Sequence, residues 1–358
     1  MSLLTLDIHA VRNIQHQSVC LAPTLNFFYG ANASGKSALI EAIYILGRAK
    51  SFRSASIKPV INFQHDHLVV TALIAQSFGL TNHLGIQLDG KTIEIHINQQ
   101  ASQNKSDLAY ALPLQLIHPK SYELLDTGPH LRREFLDWGV FHSDEKFLTI
   151  WRRFKKALTQ RNSLLKTKQL SQIGVWDKEL VYYGTIVDSH RRQYLEKFTP
   201  VFTEIASNFV AVEGLELFPI SGWDLSRNFH QVLQDELEKD VRYGFTHSGP
   251  HRGDFQLLVN QRLAKDFVSR GQLKLLVMSL KLAQVQLLLN QNNHFGCILF
   301  DDFAAELDVI NRAKVLRYLA DCGSQVVITA TDTDHFGDLS CLDNYKMFHV
   351  EHGYIKPV

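Results

Sequence analysis

Along the 358-residue chain the spacing of apolar positions changes period several times. Residues 3–8 and Leu25–Tyr29 carry the short apolar runs of β-strands, the second ending at Gly30. Over 37–46 the period becomes helical, with Leu39, Ile40, Ile43 and Leu46 on one face. Strand character returns over 68–97. There Thr92, Glu94, His96 and Asn98 alternate with Ile93, Ile95 and Ile97, the pattern of an antiparallel sheet with one wet face. Residues 99–107 read as a polar loop. Beyond Tyr122 the period is helical again, and Leu180, Tyr183, Val187, Tyr194 and Phe198 form one stripe. Strands resume at 255–259, Cys297–Phe300 and 325–328. The pattern predicts an α/β protein whose head, with mixed sheets, is made from both ends of the chain, 1–125 and 241–358. The mainly helical middle, 126–240, forms a second lobe. No internal repeat, linker or sustained heptad pattern is present, so no long coiled coil is expected.

At the junction of strand and helix, Gly30-Ala31-Asn32-Ala33-Ser34-Gly35-Lys36-Ser37 matches the phosphate-binding loop G-x-x-x-x-G-K-[ST] in full. Glycines let the backbone wrap a polyphosphate with its N–H groups inward, and the next helix adds its positive N-terminal dipole. Lys36 is then placed to reach the β- and γ-phosphates of ATP, and the Ser37 hydroxyl to ligate Mg²⁺. Such a loop needs a carboxylate at the end of a second buried strand. Cys297-Ile298-Leu299-Phe300-Asp301-Asp302 has that form, because a buried strand ending on adjacent like charges calls for a cation. By position Asp301 is the metal carboxylate and Asp302 the base for the attacking water. Farther back, Ser269-Arg270-Gly271-Gln272 opens an apolar-periodic helix with Leu276, Leu280, Leu282 and Ala283. Its hydroxyl, free N–H groups and dipole suit an anion, as they also suit an ordinary N-cap. Its place ahead of the Asp301-Asp302 strand is the order of ABC-type ATPases. There the signature serine grips ATP bound to a second subunit, so an ATP-sandwiched homodimer is expected.

Other short strings complete a series. Arg12-Asn13, Glu41-Ala42-Ile43 and Ser51-Phe52-Arg53 surround the phosphate loop in sequence. Arg132-Arg133-Glu134-Phe135-Leu136-Asp137, Gln160-Arg161-Asn162 and Gly249-Pro250-His251-Arg252 follow, and Glu306-Leu307-Asp308 comes after the paired aspartates. Collinear over nearly the whole chain, the series resembles the RecF family, whose heads are similar to those of the SMC group. The resemblance implies an ABC-type P-loop ATPase head with a helical lobe, dimerisation on binding ATP, and weak, DNA-stimulated hydrolysis. It implies recombinational repair and replication-fork maintenance, with DNA (duplex and single-strand/duplex junctions), RecR and RecO as partners in loading recombinase at gaps. It makes Asp308 the D-loop residue that meets the partner subunit. It makes Gln115 a Mg²⁺-sensing glutamine, although His118-Pro119-Lys120 departs from the acidic residues common after that proline. Ala305 stands where the family often has serine. Thr331 occupies the γ-phosphate switch position where many ABC proteins use histidine. A threonine can hydrogen-bond phosphate but cannot carry a proton, so slow hydrolysis is expected.

Composition narrows the DNA question. Lys plus Arg number 37 against 36 Asp plus Glu, a net charge of +1, so any DNA site must be a local patch. The best candidate is the segment 151–168, with Arg152, Arg153, Lys155, Lys156, Arg161, Lys166 and Lys168 and no acid. Arg152, Arg153, Lys155 and Lys156 are its candidate phosphate contacts; a solvated helix face is the other reading. Cys20, Cys297, Cys322 and Cys341 show no paired spacing, which suits a reducing cytosol. Asp7 and His9 follow the first apolar residues, predicting no signal peptide, and no apolar run approaches membrane-spanning length. A cytoplasmic protein without a membrane partner is expected. Asn104-Lys105-Ser106-Asp107 spells a guanine-reading motif, but no D-x-x-G lies between it and the phosphate loop. His247, His251 and Asp254 can be drawn as metal ligands, yet histidines beside Gly249 and Pro250 read as solvated or hydrogen-bonded. Two alternatives remain: an ATPase subunit serving a nuclease, and a monomeric enzyme transferring phosphate to a small molecule.

Overall fold

The computed structural model describes residues 1–76, 79–292, 295–340 and 342–358. Cys341 and the side chain of Glu306 lie outside the described residues. The chain divides into two compact units, Met1–Ser121 with Lys274–Val358, and Tyr122–Leu273.

The first unit begins with β1 (Ser2–Val11), β2 (Ile14–Cys20) and β3 (Leu25–Tyr29). β4 (Leu68–Ala75), β5 (Thr81–Leu88), β6 (Ile93–Ile97), β7 (Gln100–Ser102) and β8 (Leu114–Ile117) follow. One sheet, in the order β2-β1-β4-β5-β6-β7, is antiparallel throughout. β4 alternates buried and half-buried residues along its length, as a sheet packed on one face requires. The expected polar loop at 99–107 is corrected: it contains β7 and the start of helix Lys105–Ala111. Asp107 there accepts a hydrogen bond from the Ser102 hydroxyl at 2.5 Å, so the guanine-motif aspartate serves the local turn.

In the second unit, β9 (Leu215–Ile220), β10 (Asp254–Val259) and β11 (Arg262–Leu263) form a sheet in the order β11-β10-β9. Helices Pro129–Ser143, Phe147–Thr167 and Ile173–Phe209 supply much of its core, and helix Phe229–Asp235 adds Phe229, Val232 and Leu233. Leu180, Val187 and Phe198 of the expected stripe are fully buried, whereas Tyr183 is only half-buried. The expected boundary at 240 is corrected. β10 pairs with β9 from Asp254↔Ile220 to Val259↔Leu215, so residues 241–273 belong with the lobe. β9 hid within the helical middle because its six residues carry a proline and no sustained alternation.

The head is completed by β12 (Cys297–Phe300), β13 (Gln325–Ala330), β14 (Tyr345–Glu351) and β15 (Tyr354–Pro357). They join the second sheet, ordered β15-β14-β3-β13-β12-β8. In it β8, β12, β13, β3 and β14 are mutually parallel, so their carboxyl ends share one edge. Helix Lys36–Arg48 packs among residues of both sheets, its Leu39, Ile40, Ile43 and Leu46 fully buried beside Leu6, Val70, Leu114 and Val327. Ala38, Ala42 and Ile45 on its other faces are buried as well, as in a helix enclosed on most sides. Each such leucine or isoleucine contributes about 1.5–3 kcal/mol on burial. Gly47 is required here, since a Cβ would fall 2.5 Å from Leu114 Cδ1 and 2.8 Å from the Leu112 carbonyl.

One further expectation changes. Helix 270–291 has the length and apolar composition to cross a membrane, where no such run was expected. Within the protein 72% of its most apolar 18-residue stretch is buried, and Ser279 and Gln284 inside it are hydrogen-bonded or enclosed, as in a core helix.

Candidate ATP site

β3 ends at Tyr29 and helix Lys36–Arg48 begins seven positions later, leaving the loop 30–35 to turn the chain back. Gly35 has φ +123°, outside the range of ordinary L side chains. At Gly30 a Cβ would lie 2.1 Å from the Val350 carbonyl, so β14 leaves room only for hydrogen. The loop is pinned from outside: Gly353 N–H donates to the Ser34 carbonyl at 2.7 Å, and Asn13 Nδ2 to the same oxygen at 3.1 Å. The Ser34 hydroxyl is buried with no hydrogen-bond partner among the described residues, which suits a group that meets a phosphate oxygen. Lys36 Nζ donates to the Gly30 and Ala31 carbonyls at 2.6 and 2.9 Å. Burial lowers its pKa, against the opposing pull of Asp302 and Asp301. A polyphosphate would add to the counter-charge that Asp302 and Asp301 give that ammonium.

The second half of the site comes from β12, flanked on both sides by parallel strands. Asp301 follows its last residue and is buried. Its Oδ1 accepts from the Ser37 hydroxyl at 3.0 Å and from the Thr329 hydroxyl at 3.1 Å. Desolvation raises the Asp301 pKa, while Ser37, Thr329 and the Arg53 cation act the other way. A buried carboxylate beside a hydroxyl is the hard oxygen set that Mg²⁺ takes, so Ser37 and Asp301 fit the ion. Asp302 sits in the left-handed region at φ +59°, and its N–H donates to Thr329 at 2.9 Å. The turn thus separates the two carboxylates and leaves Asp302 lining the cavity.

A cavity of about 310 Å³ lies at this carboxyl edge. Its walls are the loop 32–37, Asp301, Asp302, Thr329 and Thr331, with Arg12, Asn13 and Arg53 on the remaining side. Arg12 and Arg53 were legible only as parts of strings. The structure gives them a common counter-ion, fully buried Glu41, which Arg12 Nε meets at 2.8 Å and Arg53 at 3.8 Å. Gln115 is not brought to the cavity. It lies inside β8, where its Nε2 donates to the Lys281 carbonyl at 3.2 Å and to Gln284 Oε1 at 3.1 Å. Nearby His118 is held neutral, its pKa pushed down to about 3 by burial and by Lys281 and Lys120.

The remaining candidates lie elsewhere. Ser269 caps helix Arg270–Asn292 through a reciprocal pair: its hydroxyl accepts from Gln272 N–H at 3.2 Å, and its N–H donates to Gln272 Oε1 at 2.9 Å. Ser269, Arg270 and Gly271 are exposed, and Arg270 lies 5.0 Å from the centre of the Tyr122 ring. Asp308 caps helix Val309–Asp321 by accepting from Asn311 N–H at 2.8 Å, and Val309 and Ile310 beside it are exposed. Arg152, Arg153, Lys155 and Lys156 are exposed on helix Phe147–Thr167, with Lys155 Nζ 5.4 Å over the Trp151 ring. Arg161 leaves that patch: it is fully buried, bonded to Asp177 and Asp240 at 2.6 Å each. The drawn metal ligands are engaged otherwise. His247 meets Asp240 at 2.7 Å, His251 Nε2 meets the Thr246 carbonyl at 2.9 Å, and Asp254 is paired with Arg132.

Comparison with known proteins places this geometry in a family. The profile described as "RecF/RecN/SMC N terminal domain" matches residues 2–356. The chain is 39% identical over 360 residues to the DNA replication and repair protein RecF of Pseudomonas aeruginosa (strain LESB58), covering 99% of this chain and 97% of that one. It is 40% identical over 357 residues to the same-named protein of Shewanella piezotolerans, covering 99% of both. Among solved structures it resembles the recombination mediator protein RecF bound to ATP, with TM-score 0.89, 24% identity, and coverage of 99% and 97%. A more distant likeness is to an Smc head, with TM-score 0.58 and 15% identity.

Proposed function

The chain belongs to the RecF family, and from that membership we propose that it serves DNA replication and repair as an ATP-gated, DNA-binding head. The observation that carries the ATP part is the meeting of Lys36, Ser37, Asp301 and Asp302 around one cavity at the carboxyl edge of parallel strands. The loop 30–37 wraps the polyphosphate with its backbone N–H groups, and Lys36 turns from the Gly30 and Ala31 carbonyls to the β- and γ-phosphates. Ser37 and Asp301 hold Mg²⁺, which when bound neutralises charge on the phosphate oxygens. Asp302 orients the attacking water and takes its proton.

In this reading two copies close on ATP. The exposed Ser269, Arg270 and Gly271, with Gln272 supporting the cap, meet nucleotide held by the other copy, and Asp308 lies at the contact. Slow hydrolysis reopens the dimer. DNA is held through Arg152, Arg153, Lys155 and Lys156. The solved structure of similar fold is described as a mediator in the RecFOR pathway; by family membership RecO and RecR are the partners proposed for this chain.

Sedimentation velocity with and without Mg²⁺·ATP, then with duplex or gapped DNA, tests the reading. ATP-dependent dimers that bind DNA are expected, with RecR and RecO retained on the gapped substrate. A chain that stays monomeric and ignores DNA under every condition would overturn it.

A further inference from the structure

Thr331 follows β13 and forms part of the cavity wall. Its hydroxyl is not isolated: Thr331 Oγ1 and His335 Nδ1 lie 2.8 Å apart. His335 rides on the 3-10 turn Thr333–Phe336, and that turn is fastened at several points. The Asp332 carboxylate accepts from Asp334 N–H at 3.2 Å, and Arg312 donates to the His335 carbonyl at 3.0 Å. Phe336 is fully buried, its ring centre 4.8 Å from that of Phe27 on β3, the strand that leads into the phosphate loop. The imidazole is therefore held by the same framework that holds the nucleotide site.

We infer that Thr331 and His335 form a dyad in which His335 is a positioning residue, aiming the Thr331 hydroxyl at the terminal phosphate of bound ATP. This rests on the ATPase reading above. The direction of the bonds follows from what each atom can do. A phosphate oxygen only accepts, so a hydroxyl facing it must donate its own proton there. The hydroxyl oxygen is then left as an acceptor, and the neighbour at 2.8 Å must be an Nδ1–H donor. The opposite tautomer would take the threonine proton and turn a lone pair toward the anionic phosphate. Donation from the ring polarises the Thr331 O–H, which strengthens its bond to phosphate as negative charge builds on the terminal oxygens. No bond is made or broken within the dyad and no proton leaves it. Without the imidazole the hydroxyl is a free rotor, and the same side chain contributes less in the transition state.

Full-length chains carrying His335→Ala, His335→Asn, Thr331→Ser, Thr331→Val or Thr331→Val with His335→Ala are compared for ATP affinity and turnover. His335→Ala is expected to lower kcat about tenfold while ATP affinity changes little, since one oriented hydrogen bond is lost only where charge develops. His335→Asn, whose amide still donates, recovers most of the rate, and Thr331→Ser, which keeps the hydroxyl but lacks the χ1 restriction of a β-branch, falls between the parent and Thr331→Val. Thr331→Val is at least as slow as His335→Ala, and the double variant is no slower than Thr331→Val, because His335 acts only through that hydroxyl. Histidine-¹⁵N spectra of the full chain with Mg²⁺ and a slowly hydrolysed ATP analogue supply a second readout: Nδ1 of His335 should carry hydrogen. A parent that turns over ATP while His335→Ala does the same at an unaltered rate overturns the dyad alone. So do additive losses in the double variant, or an unprotonated Nδ1. A parent that binds but never hydrolyses ATP removes the ATPase reading and the dyad together. Should His335→Ala fail to fold, His335→Asn and Thr331→Val carry the comparison.

Discussion

At the scale of single residues the site is a set of opposed electrostatic demands. Lys36 is an ammonium whose burial works against its charge, and Asp301 a carboxylate in the same position. For Asp301 the folded pKa lies above the ordinary value. Its contribution to stability is therefore complete below that ordinary value and is lost as pH rises through the folded pKa. At neutral pH the nucleotide-free protein carries this cost. Asp301→Asn should then raise the thermal midpoint in EDTA yet abolish the further rise that Mg²⁺·ATP brings; a lowered midpoint in EDTA would contradict the assignment. Lys36→Ala should keep the fold but lose tight ATP binding, measured by equilibrium titration. Asp302→Asn separates the steps. ATP binding and dimerisation persist or lengthen, while hydrolysis falls about 10²–10⁴-fold. If Asp301→Asn behaves in that manner and Asp302→Asn is silent, the two roles are exchanged.

Elements show how local sequence and distant contacts share the work. The phosphate loop is readable because its glycines answer local demands, a positive φ at Gly35 and the approach of Val350 to Gly30. The start of helix Arg270–Asn292 is readable for a related reason, as Ser269 and Gln272 form a reciprocal cap. Loss of the cap alone in Ser269→Ala costs about 1 kcal/mol. Ser269→Arg adds a bulky cation to an exposed turn, and its expected phenotype is ATP binding without ATP-dependent dimers in sedimentation. Normal dimers from this variant would remove the signature role. Arg161 shows the opposite case. By composition it belonged to a basic helix face, but it is enclosed by Asp177, Asp240 and Thr246. Arg161→Ala removes the buried guanidinium from Asp177 and Asp240, leaving Asp240 with His247 alone, and a loss of about 3–5 kcal/mol in urea denaturation is expected.

For the molecule as a whole, near-neutral net charge makes the DNA contacts a question of arrangement. If Arg152, Arg153, Lys155 and Lys156 meet phosphates, affinity must fall as salt rises, each contact adding about −0.9 to the logarithmic slope. Charge reversal there should flatten the slope and weaken unrelated sequences equally, because phosphates carry no base identity. ATPase activity without DNA should stay at the parental rate. An unchanged slope would transfer the contacts to other exposed cations, with Arg252 and Arg270 the next to replace.

What the sequence determined by itself is what short-range chemistry can encode: the strand and helix periods, the loop from Gly30 to Ser37, the apolar run ending in Asp301 and Asp302, and the cap at Ser269. The order of motifs also sufficed to indicate the family. Tertiary structure alone decided which of these pieces meet. Ser37 and Asp301 lie 264 positions apart and touch only because β3 and β12 flank β13 in one parallel sheet. The same sheet turns Gln115 toward Lys281 and Gln284 rather than the cavity. The lobe extends to Leu273 because β10 finds its partner in β9, and Arg161 is buried because Asp177, Asp240 and Thr246 from other segments of chain close around it. Thr331 stands beside an imidazole because the turn after it is anchored by Arg312 and Phe336. Periodicity states which face of an element is apolar; only packing settles which distant side chain that face brings within a hydrogen bond of its neighbour.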